Sequence, residues 1–239
     1  YLEPSLRARA HLLRARIWRD LGRPERARGS AHKARELSRL AHERALESEA
    51  AARMGGLLVD AGKMEDAEAH LRDALLISGE IEDKRGMCLA QVWLGTLLAE
   101  ANDPEAASAL AKSAKLASAI GLRRCEAMAY ALGARVELCK GNFEGAHVLG
   151  QRAMSMLESQ GAELRDRIVI TGTWALLLFY SGERAEASKL SKELRRVLRK
   201  ASAHIEDSTL RKLHRTETMR LLSSVLSAEG PIYPRAVST

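Results

Sequence analysis

Apolar residues recur along this chain at helical spacing, in blocks set apart by short polar breaks. Leu94, Leu97 and Leu98 share a face before one break, and Leu110 and Ala114 share a face after it. The spacing predicts paired helices at 5–21 and 24–40, 44–61 and 64–79, 84–101 and 104–120, 123–140 and 143–160, and 164–181 and 184–202. An eleventh helix over 206–228 carries Leu210, Leu213, Leu221, Leu222, Val225 and Leu226, and the remaining tail reads as extended. The longest apolar stretch, IVITGTWALLLFY at 168–180, is thirteen residues. That is short of the ~20 helical residues a bilayer requires. It falls on the first helix of the fifth pair, so it reads as a core helix rather than a strand or a membrane span.

The breaks follow one register. Gly22 is followed five residues later by Ala27, Gly62 by Ala67, Gly141 by Ala146 and Gly182 by Ala187, while Asn102 and Ala107 take the same places in the third copy. The anchors step by 40, 40, 39 and 41 residues. Seven residues past the first Ala stand Ala34, Ala74, Ala114 and Ala153, with Leu194 in the last copy; seven before the anchor stand Ala15, Gly55, Gly95, Ala134 and Ala175. A fixed period of this length is the mark of a repeat architecture. Gly or Asn ends one helix in a left-handed turn. Asp103-Pro104 reads as a cap and first helical residue of the next. Small residues mark where paired helices cross closely. The junction near 41–43, LAHE, carries no breaker, whereas the others carry Gly79, Gly121 and Gly161.

The register small–x6–Gly–x4–Ala–x6–Ala resembles the tetratricopeptide repeat: Gly55, Gly62, Ala67 and Ala74 match its four small positions in the second copy, and Gly95, Ala107 and Ala114 match in the third, with Asn102 as a departure. The likeness covers about residues 5–200. The period near 40 is similar to the long form of bacterial regulator sensor arms and animal polarity adaptors. The resemblance implies an all-α, right-handed superhelical solenoid: five repeats within 1–203, a capping helix over 204–228 and a tail over 229–239. It also implies that the first helices line a concave groove that holds a peptide, a helix or another domain. An Asn/Lys/Arg carboxylate clamp does not transfer, because the two asparagines, Asn102 and Asn142, both lie at turns.

Composition agrees with close-packed helices: aromatics are 4% of residues, and the prolines at 4, 24, 104, 231 and 234 avoid every long periodic block. Cys88, Cys125 and Cys139 form no CxxC pair, which suggests a reducing compartment; with the Ala/Arg-rich composition this points to a bacterial cytoplasm. The first residue is Tyr, as expected of a piece of a longer chain. The net charge of +7 is patchy, with +7 over 1–40, −5 over 41–80 and +4 over 161–200. Acidic stretches and sparse aromatics argue against nucleic-acid binding. No HExxH, GxSxG or phosphate loop is present, and the histidines are scattered, so neither catalysis nor a cofactor or metal is expected.

Counted from the anchors, the groove-facing candidates are Arg9, Arg16 and Arg19; Arg53; Trp93, Thr96 and Glu100; Arg135; and Tyr180. Each has a purely structural alternative. Arg16 is spaced to pair with Asp20, Arg135 to reach Glu100, Trp93 to pack between repeats, and Phe179 and Tyr180 to lie beneath the eleventh helix. The function expected is a non-catalytic scaffold for a protein or peptide, or for another domain of the parent chain. The alternative is a sensor arm for a small effector or signalling peptide.

Overall fold

A computed structural model describes residues 3–158 and 163–227 and is all-helical throughout them. In chain order these are α1 (Pro4–Asp20), α2 (Pro24–Leu40), α3 (Arg44–Asp60), α4 (Met64–Glu80), α5 (Lys84–Glu100) and α6 (Ala106–Ala119). They are followed by α7 (Arg123–Cys139), α8 (Phe143–Glu158), α9 (Leu164–Tyr180), α10 (Arg184–Ala203) and α11 (Ser208–Val225). Sequential helices pack as antiparallel pairs, and each pair packs on the next, as in a helical repeat array. The expected tail and Gly161 lie outside the described residues. None of the described helices is long and apolar enough to cross a membrane.

One turn chemistry recurs. Gly22, Gly62, Asn102, Gly141 and Gly182 all have positive φ, from 54° to 91°. The following amide closes each turn by donating five residues back, as Arg23 N does to Trp18 O at 2.8 Å and Lys63 N to Leu58 O at 3.0 Å. This bond satisfies a carbonyl that the helix end would otherwise leave open. The junctions between pairs use the same device. His42, Glu82 and Gly121 have positive φ, and Glu43 N, Asp83 N and Leu122 N donate to Ser38 O, Ser78 O and Ala117 O. The junction that lacked a breaker therefore turns on His42. Gly79 lies inside α4, and its neighbour Glu82 makes the turn.

The small residues work as contacts. A Cβ on Gly55 would lie 2.5 Å from Leu71 Cγ, and one on Gly95 would lie 2.6 Å from Leu110 Cγ. Leu71 and Leu110 are thereby fully buried against the partner helix of their own pair, each contributing about 2 kcal/mol by transfer alone. The third copy shifts by one position: Ala106, not Ala107, is buried. After Asp103 the chain opens with an i+3 bond, Ala106 N to Asp103 O at 3.1 Å, before α6 begins. Such a turn has fewer residues than an α turn and brings the contact residue forward by one.

Odd-numbered helices also touch each other in order, α1–α3, α3–α5, α5–α7 and α7–α9, whereas successive even-numbered helices make no comparable contact. The odd helices thus form the crowded face of the array. The helix α11 does not continue the pairing. It is capped by Asp207, whose Oδ1 accepts from Leu210 N at 2.8 Å, and it packs on α9, α10 and the end of α1. A Cβ on Gly172 of α9 would lie 2.7 Å from Val225 Cγ1. Leu221, Leu222 and Val225 share a core with Ile168 and Val169 of α9 and Leu132 of α7.

Candidate functional site

Five odd helices contribute to one pocket of about 480 Å³. Its wall comes from α1, from the first halves of α3 and α5, and from the starts of α7 and α9. Leu89, Val92, Trp93 and Met128 supply an apolar side. The rest is charged, with seven arginines against five acids.

Ion pairs organise much of that charge. Arg16 of α1 donates through Nη1 to Glu163 Oε1 at 2.7 Å, across 147 residues of sequence. Arg124 of α7 donates to the same carboxylate and, through Nε, to Asp166 Oδ2 at 2.5 Å. Arg19 donates through Nε to Asp60 Oδ2 at 2.6 Å, and Arg165 Nη2 reaches that oxygen at 3.3 Å. Arg165 Nη1 also lies 3.6 Å from Glu217 of α11. These contacts join the first two repeats to the fifth and to the last helix.

Burial and charge perturb the groups. Burial raises the Asp166 pKa despite the Arg124 guanidinium beside it. Burial likewise raises that of Asp20, against the pull of Arg165 and Arg19. For Arg53 burial is again the largest influence and lowers the pKa; Glu49, which accepts from Nη2 at 3.0 Å, opposes it, and the like charges of Arg19 and Arg16 add to it. The hydrogen bond to Cys88 and burial push the Cys125 thiol up, while the same hydrogen bond pulls Cys88 down to about 7. Among the described residues no group of three or more His, Cys, Asp or Glu is placed to hold a metal ion.

The sequence candidates divide. Arg9, Arg16, Arg19, Arg53 and Trp93 all line this pocket. Trp93 is also packed between repeats: its ring fills the space above Gly56, and the Arg19 guanidinium lies 4.6 Å from its centroid. Arg16 pairs with Glu163 rather than with Asp20. The other four lie elsewhere. Thr96 is fully buried and donates to Val92 O at 2.8 Å. Glu100, near the end of α5, is half-buried and outside the pocket wall. Arg135 is only 4% exposed and donates through Nη1 to Val225 O at 2.5 Å and through Nη2 to Ser227 O at 3.1 Å, so α11 covers the position counted as mid-groove. Tyr180 is 46% exposed, beside Phe179 at 5.7 Å between ring centroids and Phe143 at 6.5 Å. Neither Phe179 nor Tyr180 lies under α11; both stand at the outer end of α9.

Pocket residues that the sequence reading passed over are Arg85, Arg124 and Arg165, with the acids 163 and 166. A signal was present. These three arginines occupy one register position, the second residue of α5, α7 and α9. A count confined to helix middles misses it.

No protein-family model and no curated protein matches this chain. The tetratricopeptide likeness therefore rests on the repeat register itself.

Proposed function

We propose that this chain is a non-catalytic binding module of tetratricopeptide type, a right-handed superhelix whose concave side is the odd-helix face. It holds a protein or peptide partner, as the scaffold domain of a larger bacterial signalling or regulatory protein in the cytoplasm. The observation that carries this reading is a pocket rich in charged side chains to which α1, α3, α5, α7 and α9 all contribute. Contact among successive odd helices, without its equivalent among the even ones, is what curvature toward that face would give. The seating of α11 on the same face, over Arg135 and Gly172, supports its fitness to hold a helix.

A second reading, a sensor arm for a small effector, is favoured by the Arg16–Glu163 bridge. That bridge ties the first repeat to the fifth beside the pocket and narrows it toward a chamber. Binding of nucleic acid is disfavoured by the acids that share the wall.

The test is capture by the immobilised chain, with nuclease-treated and untreated lysate, followed by direct titration of any captured protein. A partner that survives nuclease and binds Arg53→Glu at least tenfold more weakly supports the scaffold. A partner indifferent to Arg53→Glu, or one lost with nuclease, overturns the assignment to this pocket.

A further inference from the structure

We infer that the pocket is a seat for a compact polyanion, a small molecule bearing clustered phosphate or carboxylate groups, gripped by Arg9, Arg53 and Arg85. The inference rests on the second reading, a small effector held in this pocket, and names the chemistry of that ligand.

Three observations carry it. The first is charge left over after the internal pairs are formed. Arg16, Arg19, Arg124 and Arg165 are bound to Asp60, Glu163 and Asp166. The side chains of Arg9 and Arg85 are exposed on the wall and have no ion-pair partner among the described residues. Of the remaining acids, Glu49 accepts from Arg53. Asp83 accepts from the Arg85 backbone amide at the start of α5. Asp20, the remaining acid of the wall, stands at the C-terminal end of α1.

The second observation is Arg53 itself. Its guanidinium lines the pocket, yet its Nε is buried without a hydrogen-bond acceptor. A buried donor left unpaired is costly, and an anion in the pocket that drew the guanidinium outward would give that nitrogen an acceptor. The fixed fork of arginine suits phosphate and carboxylate oxygens.

The third is size and enclosure. About 480 Å³ falls in the range of small-ligand sites. The Arg16–Glu163 bridge ties α1 to the entrance of α9 and opposes an extended chain running through. Trp93, Leu89 and Met128 leave one apolar side for the body of such a ligand.

Pyrophosphate and citrate serve as probes, titrated calorimetrically into the full chain at low ionic strength, where screening is weakest. The expected result is saturable binding of one anion per chain, at least tenfold weaker in Arg53→Gln and in Arg85→Gln. Lys112→Gln removes an exposed charge on α6 and should bind within twofold of the unaltered chain. Arg85 has no side-chain partner to lose, so Arg85→Gln keeps the test valid if Arg53→Gln proves unstable. Preference for pyrophosphate assigns phosphate, preference for citrate assigns carboxylate, and equal binding assigns charge alone. Absence of saturable binding, or an equal loss in Lys112→Gln, overturns the seat. A chain that ignores both anions yet loses a protein partner on Arg53→Glu overturns the anion assignment while leaving the binding module standing. Anion binding with no partner captured does the reverse.

Discussion

Arg135 on α7 holds the end of α11 through Val225: its Nη1 donates to the Val225 carbonyl at 2.5 Å, ninety residues away in sequence. A second bond, from Nη2 to Ser227 O, closes the pair. The side chain is a cationic cap on carbonyls that a helix end leaves open, where positive charge is also favoured by the helix dipole. Arg135→Ala strands the Val225 carbonyl in a buried place. It is expected to cost about 2–4 kcal/mol, measured by urea denaturation, and to leave pyrophosphate affinity of the folded chain unchanged. Arg135→Lys retains the charge and should lose about half as much.

Gly55 and Gly29 are both helical, and the same substitution should move them in opposite directions. A Cβ on Gly55 meets Leu71 Cγ at 2.5 Å, in a fully buried contact. One on Gly29 meets nothing within 4 Å. Alanine gains up to ~1 kcal/mol of helix propensity at either place. Overpacking costs ~1–3 kcal/mol where there is no room. Gly55→Ala should therefore lower the urea midpoint and Gly29→Ala raise it. A rise in both would mean that the close approach of α3 and α4 is soft.

His42 makes the first junction with φ 55°, a conformation unfavourable for a residue with a Cβ. Its ring is exposed, so little packing is at stake. His42→Gly should gain about 0.5–1 kcal/mol in chemical denaturation. The same change at Gly121 is already made by the sequence, which has glycine at that junction with φ 70°.

Asp20 lines the pocket, and burial raises its pKa above the ordinary 3.8. A carboxyl whose folded pKa exceeds its unfolded value opposes folding once the pH is high enough to ionise it. Asp20→Asn removes that penalty. The variant should be more stable than the unaltered chain at pH 7, with the gain fading as pH falls through the raised folded value and gone below 3.8. It should also bind pyrophosphate more tightly, having lost a negative charge from the wall.

The repeat was legible because its physical demands are local. A left-handed turn asks for Gly or Asn, and Gly22, Gly62, Asn102, Gly141 and Gly182 answer in register. Helix crossings ask for small residues, and Gly55 and Gly95 supply them. His42 and Glu82 were invisible because a non-glycine residue in that conformation is held by the packing of the flanking helices, which no local signal announces. Arg135 was misplaced for a related reason. Repeat register says which face a residue occupies, but α11 belongs to no repeat, and its resting place over Gly172 follows only from the folded chain. The arginines of the pocket were partly legible: Arg9, Arg16, Arg19 and Arg53 by helix-face counting, Arg85, Arg124 and Arg165 only by comparing helix starts. Which of them carry excess charge depends on pairings, such as Arg16 with Glu163, that span the whole chain.

Asp60 ties the first two repeats to the fifth, accepting from Arg19 Nε at 2.6 Å and Arg165 Nη2 at 3.3 Å in a buried site. Burial alone would raise its pKa, but the two guanidiniums outweigh burial and hold it below the ordinary 3.8. Near that pH the unfolded chain then binds more protons at this position than the folded one. The stability Asp60 contributes is full above 3.8 and is lost as pH falls through the folded value. Asp60→Asn leaves two buried cations without their carboxylate, which should cost about 3 kcal/mol at pH 7. Urea denaturation of both chains between pH 7 and pH 3 reads the difference. The gap should hold constant down to about pH 4 and begin to narrow below it, because the unaltered chain then starts to lose what the variant already lacks. A gap that does not narrow at all between pH 4 and pH 3 would show that the amide fails for reasons of shape or hydrogen bonding, and that the charge of Asp60 is not what clasps the ends of the array together.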